Sequence, residues 1–311
     1  MTLYLLFERM ESGKFRGDSQ LPVSEHASVQ APSKLGLWPG QTIAVEDAIR
    51  AMVTKSANDV AVVVAEAIGG SEGEFATLMT NKARALGMSH TVYRNASGLP
   101  NIEQVTTARE QALLGRAIQQ RFPRQYRYFS TPSFTYQGQE MRNHNNLLGE
   151  IEGVDGIKTG YTRASGFNLV TSVHRNNRYI VAVVLGGASA GERDARMRAL
   201  IEANIASASA KHTATAIGQA AGTKTEKRAA DAKAEAAPAK STSTYTVASI
   251  APLAAWPEIG HKVGSVDPNK SFQQLWDERI AGIENWGGTK QSPWPSERIV
   301  SSLSPFIGKA D

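Results

Sequence analysis

TKSANDVAVVVAEAIGG, residues 54–70, contains the segment that organises the chain. From Asn58 to Ile68 it is apolar almost all round, which a helix tolerates only when it is buried on every side, and Gly69-Gly70 ends it. A helix set that deeply needs helical neighbours, and the flanking sequence supplies them. Upstream, Pro39-Gly40-Gln41-Thr42 marks a turn, and Val45 to Met52 reads as a short amphipathic helix with Val45, Ala48, Ile49 and Met52 inward. Glu46, Asp47 and Arg50 are expected to face water. Leu3, Leu6, Phe7 and Met10 recur at helical spacing with no capping residue ahead of them. Downstream, Phe75 to Leu86 makes another helix closed by Gly87. Thr107-Ala108-Arg109-Glu110 fits a capping box for a helix that carries Ala112, Leu113, Ile118 and Phe122 to Pro123.

Beyond Pro123 the periodicity changes. Ser133 to Tyr136, Val154 to Thr162, Phe167 to Val173 and Tyr179 to Leu185 read as strands, with Asn176-Asn177 as the hairpin turn before the last. Arg193 to Ile205 returns to helix, with Met197, Leu200 and Ile201 on one face. Helices first, hairpins later and a final helix indicate an α+β domain, a helical lobe packed on an antiparallel sheet, over residues 1–205. In residues 206–240, fourteen of the thirty-five positions are Ala, so 206–245 is expected to be a disordered linker that cannot build a core. Residues 246–311 form a small C-terminal segment of unknown role, where Phe272, Leu275, Trp276, Ile280 and Ile283 could line one face of a short helix.

Composition narrows the function. The net charge of +5 is concentrated in the low-complexity stretch, and no Lys/Arg stripe with interleaved aromatics exists to bind nucleic acid. The absence of cysteine removes disulfides and thiol chemistry. No second His or carboxylate stands at metal-ligand spacing from His144, and no metal and no cofactor are expected. The first residues show neither a signal peptide nor a membrane-spanning run.

Two short stretches could carry chemistry. Ser56-Ala57-Asn58 lies just ahead of the buried helix. Ser or Asn there is the ordinary way to cap free N–H groups; alternatively, the Ser56 hydroxyl passes a proton and the Asn58 amide holds a substrate amide. Lys158-Thr159-Gly160 lies in a strand-like run. On a sheet edge, Gly160 would leave room for an added peptide strand while Lys158 and Thr159 bind a carboxylate; the alternative is a solvated Lys followed by a turn glycine. His144, in the polar run 142–146, reads as part of a surface turn, and Arg193 as a surface charge.

Ser-x-Asn followed about a hundred residues later by Lys-Thr-Gly is similar to the second and third signatures of the serine penicillin-recognising enzymes. TKSANDVAVVVAEAIGG (54–70), ALGMSHTVYRNASGLP (85–100) and VDGIKTGYTRASGFNLV (154–170) resemble the low-molecular-weight D-alanyl-D-alanine carboxypeptidases, a likeness covering roughly residues 1–205. It implies a serine β-lactamase/D,D-peptidase-like fold. It also implies removal of the terminal D-alanine from peptidoglycan stem peptides through an acyl-enzyme, inhibition by β-lactams, and a periplasmic or cell-envelope location; membrane association stays open. Ser56 would relay a proton, Asn58 would align the peptide, and Lys158, Thr159 and Gly160 would receive its carboxylate with help from Arg193. The family's first signature, Ser-x-x-Lys, does not occur in the sequence. In relatives it precedes a segment similar to residues 1–8, so the chain is expected to start just past its nucleophile. Two rival readings are a catalytically inactive wall-binding or scaffold fragment of that family and, with no Glu-x-x-x-Asn in residues 92–103, less favourably a β-lactamase.

Overall fold

The structure, a computed structural model, describes residues 1–210 and Ile217. The expected linker, apart from those few residues, and the C-terminal segment lie outside the described residues. The chain begins with α1 (Thr2–Glu11), β1 (Gln20–Pro22) and the single turn α2 (Glu25–Ser28), followed by β2 (Thr42–Ala44) and α3 (Val45–Thr54). Three longer helices come next: α4 (Asn58–Gly69), α5 (Glu72–Ala85) and α6 (Ala108–Arg121). A short α7 (Pro123–Tyr126) and a 3₁₀ turn (Arg127–Ser130) lead to the hairpin β3 (Ser133–Tyr136) and β4 (Gln139–Arg142). The main sheet is β5 (Val154–Thr162), β6 (Gly166–Arg175) and β7 (Arg178–Gly187), antiparallel and in that spatial order, and α8 (Ala190–Ile205) closes the described fold.

α4 is the centre of the helical lobe. Val60, Val62, Val63, Val64 and Ala65 are fully buried, as the all-round apolar sequence requires, and Gly70 ends the helix at φ +84°. α1 packs on it with Leu6 and Phe7 completely enclosed. Tyr4 and Phe7 meet Phe122 edge-on at ring-centroid distances of 5.0 and 5.6 Å, which ties α1 to the end of α6. On the sheet, α6 approaches through Gly115: a Cβ there would stand 2.9 Å from Ile157 Cδ1 and 3.2 Å from Val181 Cγ1. The opposite face is covered by α8, whose Met197 and Ile201 pack with Leu169 and Val173 in a second, smaller core.

Several expectations shift in register. α5 and α8 each start three residues earlier than their apolar patterns indicate, because Ser71 and Ser189 cap them, accepting from Glu74 N and Glu192 N. Thr107 caps α6 in the same way, yet Glu110 does not complete the capping box. Its buried carboxylate instead accepts from His90 N at 2.8 Å and from the Thr91 hydroxyl at 2.5 Å. The buried stripe of α6 is Leu114, Ala117 and Ile118, with Ala112 and Leu113 only half-buried. Glu46, Asp47 and Arg50 are half-buried as well, Arg50 pairing with Glu46 at 2.6 Å. Asn176 and Asn177 turn the β6–β7 hairpin with φ +50° and +58°, the left-handed pair that a two-residue hairpin needs.

Candidate active site

A cleft of about 640 Å³ opens between the helical lobe and the sheet, and it collects the residues that the sequence singles out from distant positions. Ser56 and Asn58 stand on its helical wall, Lys158, Thr159 and Gly160 on its strand wall, and Arg193 at the β7–α8 end.

The helical wall is fixed by an unusual carboxylate. Asp59, in the first turn of α4, is fully buried and accepts from Leu35 N at 3.0 Å, Gly36 N at 2.9 Å, Leu37 N at 3.2 Å and Val60 N at 2.9 Å. Hydrogen bonds to a charged acceptor are the strong kind, and the three from Leu35, Gly36 and Leu37 hold the 31–37 loop against the start of α4. From that loop Ala31 O accepts from Asn58 Nδ2 at 2.9 Å and Ser33 O from Asn58 N at 2.8 Å. The capping reading of Ser56 and Asn58 is therefore corrected: the N-cap is Ala57, which makes no side-chain bond, and both polar side chains are used elsewhere.

Ser56 has φ +55°, a left-handed backbone rare outside Gly, Asn and Asp. That turn between α3 and α4 directs its hydroxyl across the cleft, where Lys158 Nζ donates to Ser56 Oγ at 2.5 Å over a separation of 102 residues. Lys158 also donates to Thr159 O at 2.7 Å. Burial first, and the Arg193 guanidinium second, push the Lys158 ammonium down to about 8.

β5 pairs with β6 along one side only, so its other edge is unpaired among the described residues and runs along the cleft. Gly160 is exposed there, and a Cβ on it would meet nothing within 4 Å. The backbone ahead of Lys158 is clamped, since Gly156 O accepts from Asn145 Nδ2 at 3.1 Å and from the Thr171 hydroxyl. Beneath it Tyr126 OH donates to Asp155 at 2.8 Å. Burial raises the pKa of both partners.

Arg193 is not the surface charge that its helix-start position suggests. It is 4% exposed, and Asp194 Oδ1 takes both its Nε at 2.9 Å and its Nη2 at 2.7 Å. Gly187 lets it sit so close to the sheet: a Cβ there would lie 3.0 Å from Arg193 Cβ. His144 likewise lines the cleft beside Lys158 and Arg193, beyond what the surface-turn reading assigned it. Neither His144 nor Asp59 carried a signal in the sequence, because a polar run and a carboxylate in a first helical turn are both ordinary.

A helical lobe set on an antiparallel sheet, with Ser-x-Asn on one wall of the cleft and Lys-Thr-Gly on the other, is the architecture of the serine β-lactamase and D,D-peptidase class. The chain belongs to the D-alanyl-D-alanine carboxypeptidase family, whose sequence profile matches residues 1–189. It is 32% identical over 208 residues to the D-alanyl-D-alanine carboxypeptidase DacA of Escherichia coli K12, which covers 65% of this chain and 52% of that protein. It is 30% identical over 213 residues to DacF of Bacillus subtilis, covering 65% and 53%. Among solved structures, penicillin-binding protein 5 of Haemophilus influenzae matches with a TM-score of 0.63 and 28% identity, over 66% of this chain and 61% of that one. Penicillin-binding protein D2 of Listeria monocytogenes, solved with cefotaxime bound, matches with a TM-score of 0.59 and 30% identity, over 65% and 82%. The chain spans about half the length of the curated relatives it matches.

Proposed function

We propose that the chain carries the substrate-binding and proton-relay parts of a penicillin-sensitive D-Ala-D-Ala carboxypeptidase that trims peptidoglycan stem peptides in the cell envelope. The observation that carries the reading is the Lys158–Ser56 contact at 2.5 Å beside the open edge of β5. A peptide lying along that edge as an added strand would bring its terminal carboxylate to Lys158 and Thr159, with Arg193 behind them. Gly160 would leave room for its backbone.

In this reading a serine attacks the carbonyl between two D-alanines and a lysine three residues on accepts its proton. Ser56, whose oxygen accepts from the Lys158 ammonium, has its own O–H free to donate to the leaving amine nitrogen. The C–N bond then breaks, D-alanine departs, and water hydrolyses the ester. Asn58 commits one of its two amide N–H donors to Ala31 O, so in this reading it faces the substrate through its carbonyl oxygen and the second N–H. A β-lactam would enter the same cleft and remain as a stable ester. Residues 1–311 contain no Ser-x-x-Lys, which favours as a second reading a non-catalytic protein that binds wall peptides.

Labelling with a fluorescent penicillin tests the proposal. Residues 1–311 alone are expected to take no covalent label, and the same residues joined to a Ser-x-x-Lys segment from a relative are expected to label and to release D-alanine from a peptide ending in D-Ala-D-Ala. Equal labelling of both forms would make Ser56 or another serine the nucleophile. Failure of the joined form would leave the non-catalytic reading.

A further inference from the structure

Lys158 and Arg193 suffice for a peptide carboxylate, yet the cleft holds a third basic group. His144 lies on the loop between β4 and β5, exposed to solvent, and its ring makes no hydrogen bond to any described residue. Its neighbours are all tied down. Asn143 Nδ2 donates to Thr131 O at 2.9 Å, Asn145 Nδ2 to Gly156 O at 3.1 Å, and Asn146 Nδ2 to Asp194 Oδ2 at 3.0 Å. The second of these bonds reaches the strand two residues ahead of Lys158, and the third reaches the carboxylate that holds Arg193. The loop is thus fastened to the mountings of both cations, and within the polar run 143–146 the side chain left unclaimed is an imidazole that lines the space beside them.

The charge of the cleft points the same way. Among its described lining residues there are Lys158, Arg193 and His144 but no Asp or Glu; Arg193 is paired from behind by Asp194, and no carboxylate lines the cleft to balance Lys158. We infer that His144 is a further substrate-binding residue, completing with Lys158 and Arg193 an anion site that takes up one proton as a carboxylate ligand enters. The inference rests on the peptide-carboxylate reading of the cleft given above.

The groups that act on the ring come from three elements: Lys158 on β5, Lys55 at the end of α3 and Arg193 on α8, all cationic. Partial burial, then these cations, hold His144 below the usual imidazole pKa, so in the free protein the ring is neutral at pH 7. An incoming carboxylate stabilises the imidazolium and draws a proton from solvent. Affinity then rises as pH falls through the ring's bound-state pKa and levels off below its free-state pKa. Lys158 titrates near 8, so the window below pH 7 belongs to His144.

The test is calorimetric titration of residues 1–311 with an N-acylated peptide ending in D-Ala-D-Ala, at pH 7 and pH 5.5, each in two buffers of different ionisation enthalpy. Net proton uptake and a tightening of about tenfold toward pH 5.5 are expected, the equivalent of one pKa unit. His144→Gln should abolish the uptake and flatten the profile, whereas His144→Arg, a permanent cation, should bind tightly at both pH values without uptake. Because the side chain is exposed and unbonded, both variants should fold. Binding by the parent chain without proton uptake, or uptake that survives His144→Gln, overturns this inference alone. No binding by any form overturns the peptide-carboxylate reading and this inference with it.

Discussion

The two walls of the cleft are built on opposite plans. On the helical wall the framework is already hydrogen-bonded: Asp59 takes four backbone N–H groups, and Asn58 donates its backbone N–H and one side-chain N–H to the 31–37 loop. On the strand wall the outer edge of β5 is unpaired, Gly160 faces open space and Lys158 is held by one hydroxyl and one carbonyl. In the function proposed above, gripping an extended peptide needs both. One wall keeps its shape when the ligand leaves, and the other keeps hydrogen-bonding capacity in reserve. Substitutions in the first should therefore be read out in stability, and in the second in binding.

The largest expected effect is in the helical wall. Asp59→Ala removes a buried charged acceptor from four backbone donors, two of them buried; with each such bond worth about 1.5–3 kcal/mol and partial relaxation around the gap, a loss of about 3–5 kcal/mol is expected. Chemical denaturation followed by circular dichroism would measure it. A loss under about 1 kcal/mol would show that the 31–37 loop is not held by this residue.

Lys158→Ala is expected to do the reverse, weakening binding of a D-Ala-D-Ala peptide by about 1.5–3 kcal/mol, the worth of a charge-assisted contact, with stability unchanged or slightly raised because a desolvated cation is removed. The same residue sets a pH dependence. Its ammonium is present below pH 8 and lost above it, so peptide affinity in the parent chain should fall as pH rises through 8, and Lys158→Ala should lack that fall. Titrations between pH 7 and 9 would decide it.

The smallest expected change in stability, within about 0.5 kcal/mol, comes from Gly160→Val, since the added methyls enter empty space on a strand that favours β-branched residues. Peptide binding should nonetheless drop sharply. If the peptide binds Gly160→Val as well as it binds the parent, it does not run along the β5 edge.

Much of this division was legible in the sequence, for different reasons on each side. The all-apolar run after Asn58 could only be a buried helix, and Lys-Thr-Gly at a sheet edge carries a physical reason for each residue. What escaped reading depends on contacts made far along the chain. Three of the four backbone donors that Asp59 binds lie 22 to 24 residues before it, in a loop without periodicity. Glu110 looked like half of a local cap and is committed to His90 and Thr91 instead. Arg193 had the spacing of a surface residue, and only the fold buries it against Gly187 and Asp194. β1, β2 and β4 were missed because two are three residues long and the third, Gln139–Arg142, is exposed at three of its four positions.

The left-handed backbone at Ser56 sets selection for a robust protein against selection for a working one. A serine held at φ +55° carries a steric cost of about 1–2 kcal/mol that glycine escapes and asparagine largely escapes. Any lineage or laboratory screen rewarded only for thermal tolerance would drift toward Gly or Asn at this position. Each such step would gain stability and delete the hydroxyl that Lys158 reaches across 102 residues to touch, so persistence of serine at that turn is itself a signature that the cleft is in use.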